Sequence, residues 1–357
     1  MDLLHSLAVN NLNFGYLLME VNAFFHYFLA SFFMYLLVRS FGLSRLPAII
    51  AGLVFAYSGY LVKEYVHLAY LQGAVWLPLV FLFFYKSIFS SLKYASVAGI
   101  FFGISLLSGQ TQPAIYYVFA LIIFTLYSSY YLHQTKAKER FKPVVSFLVV
   151  LLVSFGLFAI QFFPTEEYAQ YSTRSNLSYA ESVGYSANPL YLVIHPFIPS
   201  FWGTMEGKFW DGVQDETLSL DDRTKWLSSM FGGLPNEMNF YLGLLPFFLF
   251  PFALFSKNKF LRDFFLILFF FSVLLILSRS LTLVGQLFYY IMGGAARVPV
   301  RASFLWSFSL AFLAALGLQT ILDFKEEKKE IFEKITRINF LVLGALFFVF
   351  LPGLIIL

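Results

Sequence analysis

Runs of about twenty apolar residues follow one another along most of this chain, and that feature constrains its fold more than any other. A run of that length crosses the hydrocarbon of a bilayer as a helix, with its backbone polar groups paired inside the segment. Such runs lie at 19–38, 46–62, 67–85, 94–109, 113–132, 143–163, 239–256, 261–279, 302–320 and 338–357. The stretch 281–294 is too short to cross and reads as re-entrant, covered by protein or lining a wet cavity. Only 12% of the residues are charged, against roughly 25% in a soluble domain. The expected fold is all-α: a polytopic transmembrane bundle of about ten spans. It divides into 1–163 with six spans, a loop region at 164–238, and 239–357 with four spans plus the re-entrant stretch. No internal repeat is visible.

The basic residues set the orientation. Alternate connections hold Arg39 and Arg45; Lys86 and Lys93; Lys136, Lys138, Arg140 and Lys142; Lys257, Lys259 and Arg262; and Lys325, Lys328, Lys329, Lys334 and Arg337. Sixteen of the 24 basic residues thus fall on one side. Of the other eight, four lie in one long loop, where the positive-inside rule does not count them. The sixteen are expected in the cytoplasm of a cell-membrane protein, with the N-terminus and the 164–238 loop outside. That loop carries ten acidic residues against four basic ones. Its Trp202, Trp210 and Trp226, with PLYLVIHPFIP at 189–199, suggest ordered interfacial structure. Ser178 followed by Glu181 reads as a capping box that opens a short helix.

The chain has no cysteine, which excludes disulfides and thiolate chemistry. Its basic clusters sit between apolar runs, as at a membrane face rather than a nucleic-acid surface. Residues 1–16 lack the basic start and cleavage site of a signal peptide. The apolar run from Asn339 stops without a polar tail, so both ends read as cut from something longer.

The charges that chemistry could use are those the topology disfavours. Arg279, Arg297 and Arg301 lie at external span ends, and a guanidinium grips phosphate through a two-pronged contact. Arg297 and Arg301, with Arg279, are candidate holders of a lipid phosphate; the alternative is snorkelling to anionic lipid or pairing with the acidic loop. Gln110 and Gln112 lie in an external turn where their amides could bind sugar hydroxyls, or merely form a polar turn before Pro113. Glu64 and His67 share another such turn, and a carboxylate there could serve as a general base; the alternative is a solvated loop. Glu166, Glu167 and Arg174 open the long loop and suit a sugar-binding or proton-accepting site; the alternative is a surface ion pair, which contributes little. Asp211, Asp215, Glu216, Asp221 and Asp222 could ligate a hard divalent cation but lack EF-hand spacing. No metal is required by the sequence, and no phosphate loop, dinucleotide fingerprint or catalytic triad is evident.

Four stretches resemble the YfhO family of bacterial membrane proteins, which are related to the GT-C glycosyltransferases. They are AGLVFAYSGYL at 51–61 followed by His67 and GAVWLPL at 73–79; LLSGQTQP at 106–113, with Gln110 where the family usually has His; FPTEEYAQYSTR at 163–174; and YLGLLP at 241–246 followed by RVPVR at 297–301. The resemblance implies a GT-C-like bundle whose external loops form the active site. It implies a polyprenyl-phosphate-linked sugar as donor and a cell-surface polymer, lipid or glycan as acceptor. Such enzymes usually carry a catalytic carboxylate in the first external loop, which is absent or truncated here. Glu166 or Glu167 is then the candidate base, with Arg297 and Arg301 stabilising the phosphate leaving group. Two rival readings stand beside this one. A transporter or flippase would place ionisable residues near span midpoints and show matching halves. A non-catalytic scaffold or assembly subunit would bind no sugar-phosphate lipid.

Overall fold

The computed structural model describes residues 12–169, 171, 178–184, 186–187, 189–197, 240–292, 298–324, 333–334, 336–337 and 341. Among these residues the chain is helical, with no strand. Six helical segments are long and apolar enough to cross a membrane: Gly15–Ser40, Arg45–Val66, Leu68–Phe89, Thr111–Thr135, Ala137–Tyr168 and Pro299–Leu322.

In chain order the helices are α1 (Leu12–Ser40), α2 (Arg45–Ala56), α3 (Gly59–Lys63), α4 (Leu68–Ala74), α5 (Leu77–Phe89), α6 (Lys93–Leu106), α7 (Thr111–Thr135) and α8 (Lys142–Ala169). There follow α9 (Tyr179–Val183), α10 (Pro189–Ile194), α11 (Leu244–Ala253), α12 (Lys259–Ile276), α13 (Thr282–Met292) and α14 (Ser303–Leu322). The apolar runs at 94–109, 239–256 and 261–279 therefore appear as shorter helices of 14, 10 and 18 residues. The run at 338–357 lies outside the described residues, except for Leu341. The 281–294 stretch forms the 11-residue α13, packed beside α9 with the rings of Tyr179 and Tyr289 5.9 Å apart. The expected capping box is present, Ser178 and Glu181 bonding each other's backbone N–H.

The bundle is built around α14. Its segment is 78% buried, against 22% for the peripheral segment that contains α8. Rings fill the space between α14 and its neighbours. Phe265 stacks on Phe312 at 3.8 Å, and Trp306 sits 4.6 Å from Phe269. Small residues let backbones approach where rings are absent. Ala95, Gly99 and Gly103 recur every fourth residue on α6. A Cβ on Gly99 would lie 2.7 Å from the Val153 side chain of α8. A Cβ on Gly317 would lie 2.0 Å from the Leu249 carbonyl oxygen of α11.

The second and third of the six segments are broken. Helix α2 ends at Ala56, and extended Ser58 turns the chain into α3. Helices α4 and α5 are likewise separated by Val75 and Trp76. At bilayer depth the freed carbonyls must find partners within the protein. Ser105 of α6 donates to the Gly73 carbonyl at 2.7 Å; the Tyr117 hydroxyl of α7 lies 2.5 Å from Gly73 O and 3.0 Å from Ala74 O.

Contacts gather the connections at two ends. The Ser44 amide donates to Gln319, and Phe260 packs on Phe89 and Tyr131. The turns near Arg45, Lys86, Lys136 and Lys257 thus share one end. At the other end Gly59 N–H donates to the Tyr241 carbonyl, Ala187 N–H to that of Ile276, and Gln112 to that of Val298.

Candidate functional site

The end opposite the basic turns carries a cluster of charged and hydroxyl-bearing side chains drawn from four separate pieces of chain. Its first piece follows the break in the second segment. Ser58 caps α3 by accepting from Leu61 N–H, and the chain then tightens into a 3-10 turn at Glu64–Val66. That geometry turns Lys63 and Glu64 inward. Their side chains are 4% and 1% exposed, and Lys63 Nζ lies 3.3 Å from Glu64 Oε1. His67 Nδ1 lies 3.6 Å from Glu64 Oε2, while the ring itself stays more than half exposed. Burying two charges is costly unless they are paired, and removing either partner costs far more than the pair contributes.

The second piece is α4, which supplies Tyr70. The third is the start of α7. Gly109 takes φ +88°, a conformation glycine adopts without strain, and so lets the chain reverse between α6 and α7. Pro113 lies in the first turn of α7, where a missing N–H costs nothing, and Gln112 precedes it.

The fourth piece is the 3-10 turn Pro299–Ala302 that leads into α14 and carries Arg301. Arg301 Nη1 donates to the Tyr70 hydroxyl at 2.5 Å and to Gln112 Oε1 at 2.6 Å. Its guanidinium carbon also lies 4.6 Å from the centre of the Tyr70 ring, within cation–π range. Gln112 Nε2 reaches the Tyr116 hydroxyl at 3.4 Å and the Val298 carbonyl at 3.5 Å. These bonds fix the plane of the guanidinium. Val298 itself is held at φ +63°, ψ +63°. A β-branched residue there is strained by about 1–3 kcal/mol, and such strain concentrates at functional sites. The site also sits at the N-terminus of a 20-residue helix, the end that favours anions.

The structure therefore brings together Glu64, His67, Gln112 and Arg301, four residues singled out in the sequence on three separate connections. Gln110 sits beside them in the chain as the N-cap of α7, half-buried, its side chain making no cap bond. Glu166 and Glu167 lie exposed on the last turns of α8, with no hydrogen bond or ion pair among the described residues. Arg279 is exposed in the turn after α12 and likewise makes no ion pair among the described residues. Arg174, Arg297 and the acidic group Asp211, Asp215, Glu216, Asp221 and Asp222 lie outside the described residues. Among the described residues no three His, Asp or Glu side chains are placed to hold a metal ion.

Sequence reasoning missed Lys63, Tyr60, Tyr70 and Tyr116. For Lys63 a signal existed: it is a basic residue at the same disfavoured end as Arg301. The tyrosines had none, because 21% of the chain is aromatic.

Two further groups lie near this end. His195, after α10, is buried edge-on against Phe240, and that burial pushes its pKa down to about 4. Glu181 is held below the usual carboxylate range by the Ser178 hydroxyl and then its backbone N–H. An apolar groove of about 460 Å³ runs between α6, α7 and α8, lined by Phe102, Thr111, Ile115, Leu151 and Phe158 among others. Thr111, which lines it, is the residue before Gln112.

Compared with known proteins, the chain matches no family model, no curated protein and no solved structure.

Proposed function

We propose that this chain is a membrane glycosyltransferase, or part of one, that moves a sugar from a polyprenyl-phosphate carrier to a glycan, lipid or polymer acceptor at the cell surface. The observation that supports it best is a buried carboxylate, Glu64, at the same end of the bundle as an oriented guanidinium, Arg301. Glycosyl transfer from a phosphate needs both charges. The bond between the anomeric carbon and the phosphate oxygen breaks, and negative charge grows on the phosphate. Arg301 and the N-terminus of α14 would stabilise that charge as it develops. The acceptor hydroxyl forms the new bond to the anomeric carbon and gives its proton to a base.

Glu64 fits the base role better than the exposed Glu166 or Glu167, because it contacts His67, whose ring lies 6.1 Å from that of Tyr70, the partner of Arg301. Gln112 and His67 would bind hydroxyl groups of the sugar. The apolar groove beside Thr111 lies where the carrier's tail could enter from the bilayer. In this reading the fold is GT-C-like with about ten crossings, the shorter helices completing the count, and the Glu64–Arg301 end faces the outside of a plasma membrane.

The test is transfer from radiolabelled polyprenyl-phosphate sugars by the protein in liposomes. Glu64→Gln, made together with Lys63→Met so that no buried charge is left unpaired, should keep donor binding and lose transfer by about 10²–10⁴-fold, the range for removing a general base. Arg301→Ala should lose donor binding while the protein still inserts. Donor binding unchanged in Arg301→Ala would remove this site from the mechanism.

A further inference from the structure

Tyr60 stands apart from the other buried tyrosines of the bundle. Tyr27 donates to the Leu61 carbonyl at 3.2 Å and Tyr117 to those of Gly73 and Ala74. The Tyr60 hydroxyl is equally buried, its residue 1% exposed, yet it has no hydrogen-bond partner. A buried hydroxyl left without a partner destabilises the fold. This chain uses Phe at 48 positions for apolar packing, and Phe would fill the same space here without that cost. The ring needs no hydroxyl to be held, since it packs 5.2 Å from Phe304 on the first turn of α14.

What surrounds the hydroxyl tells what it awaits. Tyr60 lies within electrostatic reach of Glu64, Tyr116, Arg301 and Tyr70, the members of the site. It is therefore an unsatisfied donor within electrostatic reach of an oriented guanidinium, on a ring packed against the first turn of the central helix. The neighbouring carboxylate is already offset by Lys63 at 3.3 Å. A ligand that satisfies such a group is an oxyanion, with at least one oxygen left to accept from a phenol.

We propose that Tyr60 is a binding residue for a phosphate group, its hydroxyl donating to a phosphate oxygen that Arg301 holds from another side. This deepens the transferase reading and rests on it for the identity of the carrier, but the phosphate chemistry does not depend on sugar transfer. The bond stabilises the bound state only. Tyr60→Phe should therefore separate two quantities that normally fall together. Binding should weaken by about 10- to 100-fold, the range for a hydrogen bond to a charged group. The melting temperature should stay the same or rise, because an orphaned hydroxyl has been removed.

The experiment measures binding of labelled polyprenyl phosphate to wild-type and Tyr60→Phe protein in nanodiscs, with melting curves for both. Inorganic phosphate and the uncharged polyprenol are the competitors. Displacement by inorganic phosphate identifies a free phosphate as sufficient; displacement only by unlabelled polyprenyl phosphate identifies a lipid headgroup. Equal affinity of the two proteins overturns the proposal, and the hydroxyl then holds water alone. A lower melting temperature in Tyr60→Phe also overturns it, by showing that the hydroxyl is satisfied within the fold. No phosphate binding by the wild type overturns it as well. Phosphate-dependent binding without any sugar transfer would remove the transferase reading and leave Tyr60 in its role. Sugar transfer undiminished in Tyr60→Phe, with equal donor affinity, would remove Tyr60 alone.

Discussion

Replacing Gly317 by alanine tests the architecture at its tightest point. The added Cβ would meet the Leu249 carbonyl oxygen at 2.0 Å and the Ala253 nitrogen at 3.3 Å. Real Cβ contacts essentially never fall under 3.0 Å, so α11 and α14 must part by 1.0 Å or more. The obstacle is helix backbone and cannot rotate away as a side chain would. Overpacking of this kind costs about 1–3 kcal/mol, and a backbone obstacle on the most buried helix belongs at the upper end. Alanine returns about 1 kcal/mol of helix propensity over glycine, which leaves a net loss of about 2 kcal/mol.

Gly156 on α8 is the matched control, because a Cβ there meets nothing within 4 Å. Gly156→Ala should gain up to about 1 kcal/mol by the same propensity term. The two variants are thus expected to differ by about 3 kcal/mol. Unfolding in mixed detergent and sodium dodecyl sulfate micelles, followed by far-ultraviolet circular dichroism, reads that difference. Equal stability of the two variants would refute the close packing of α11 on α14.

Three other outcomes follow from the site and its supports. Arg301→Lys keeps the charge and loses the planar fork that Tyr70 and Gln112 orient, so donor binding should fall at least about tenfold, measured by nanodisc titration. His195 titrates near 4 when folded against 6.5 when unfolded, so its contribution is full above pH 6.5 and is lost as pH falls toward 4. The His195→Leu variant should lose up to about 3 kcal/mol less than the wild type between pH 7 and pH 4; superimposable pH profiles would contradict the burial of that ring. Tyr117→Phe removes the Ala74 contact but leaves Gly73 bonded to Ser105, for a loss of about 1–2 kcal/mol. Adding Ser105→Ala strips both side-chain donors from Gly73, so thermal melts should show the double variant losing more than the sum of the singles.

The helical framework was legible because hydropathy reports it directly. The apolar runs from 19–38 to 302–320 all emerge as helices, and the Ser178–Glu181 cap appears where its spacing put it. The breaks at Tyr57–Ser58 and Val75–Trp76 were not seen, since apolar composition continues through both. Ser58-Gly59 was the local signal that one run would not stay a single helix. At the site, Glu64, His67, Gln112 and Arg301 could be named one by one as polar groups on connections. Their convergence could not be read, because it depends on how α4, α7 and α14 pack. In sequence, Glu166 and Glu167 rank ahead of Glu64 as the base. Burial separates them, and burial is a property of tertiary structure.

The interruption between α4 and α5 has a mechanical consequence. Tyr117 and Ser105 pin the last carbonyls of α4 to α7 and α6. The short piece that carries Tyr70 is thereby indexed to α7, the helix that carries Gln112, and less to its own continuation in α5. Should α5 tilt or slide, as helices in a bilayer of changing thickness do, Tyr70 and Gln112 would travel as one body. The two oxygens that meet a single arginine nitrogen would then keep their spacing, and the recognition geometry would be insulated from strain elsewhere in the third segment.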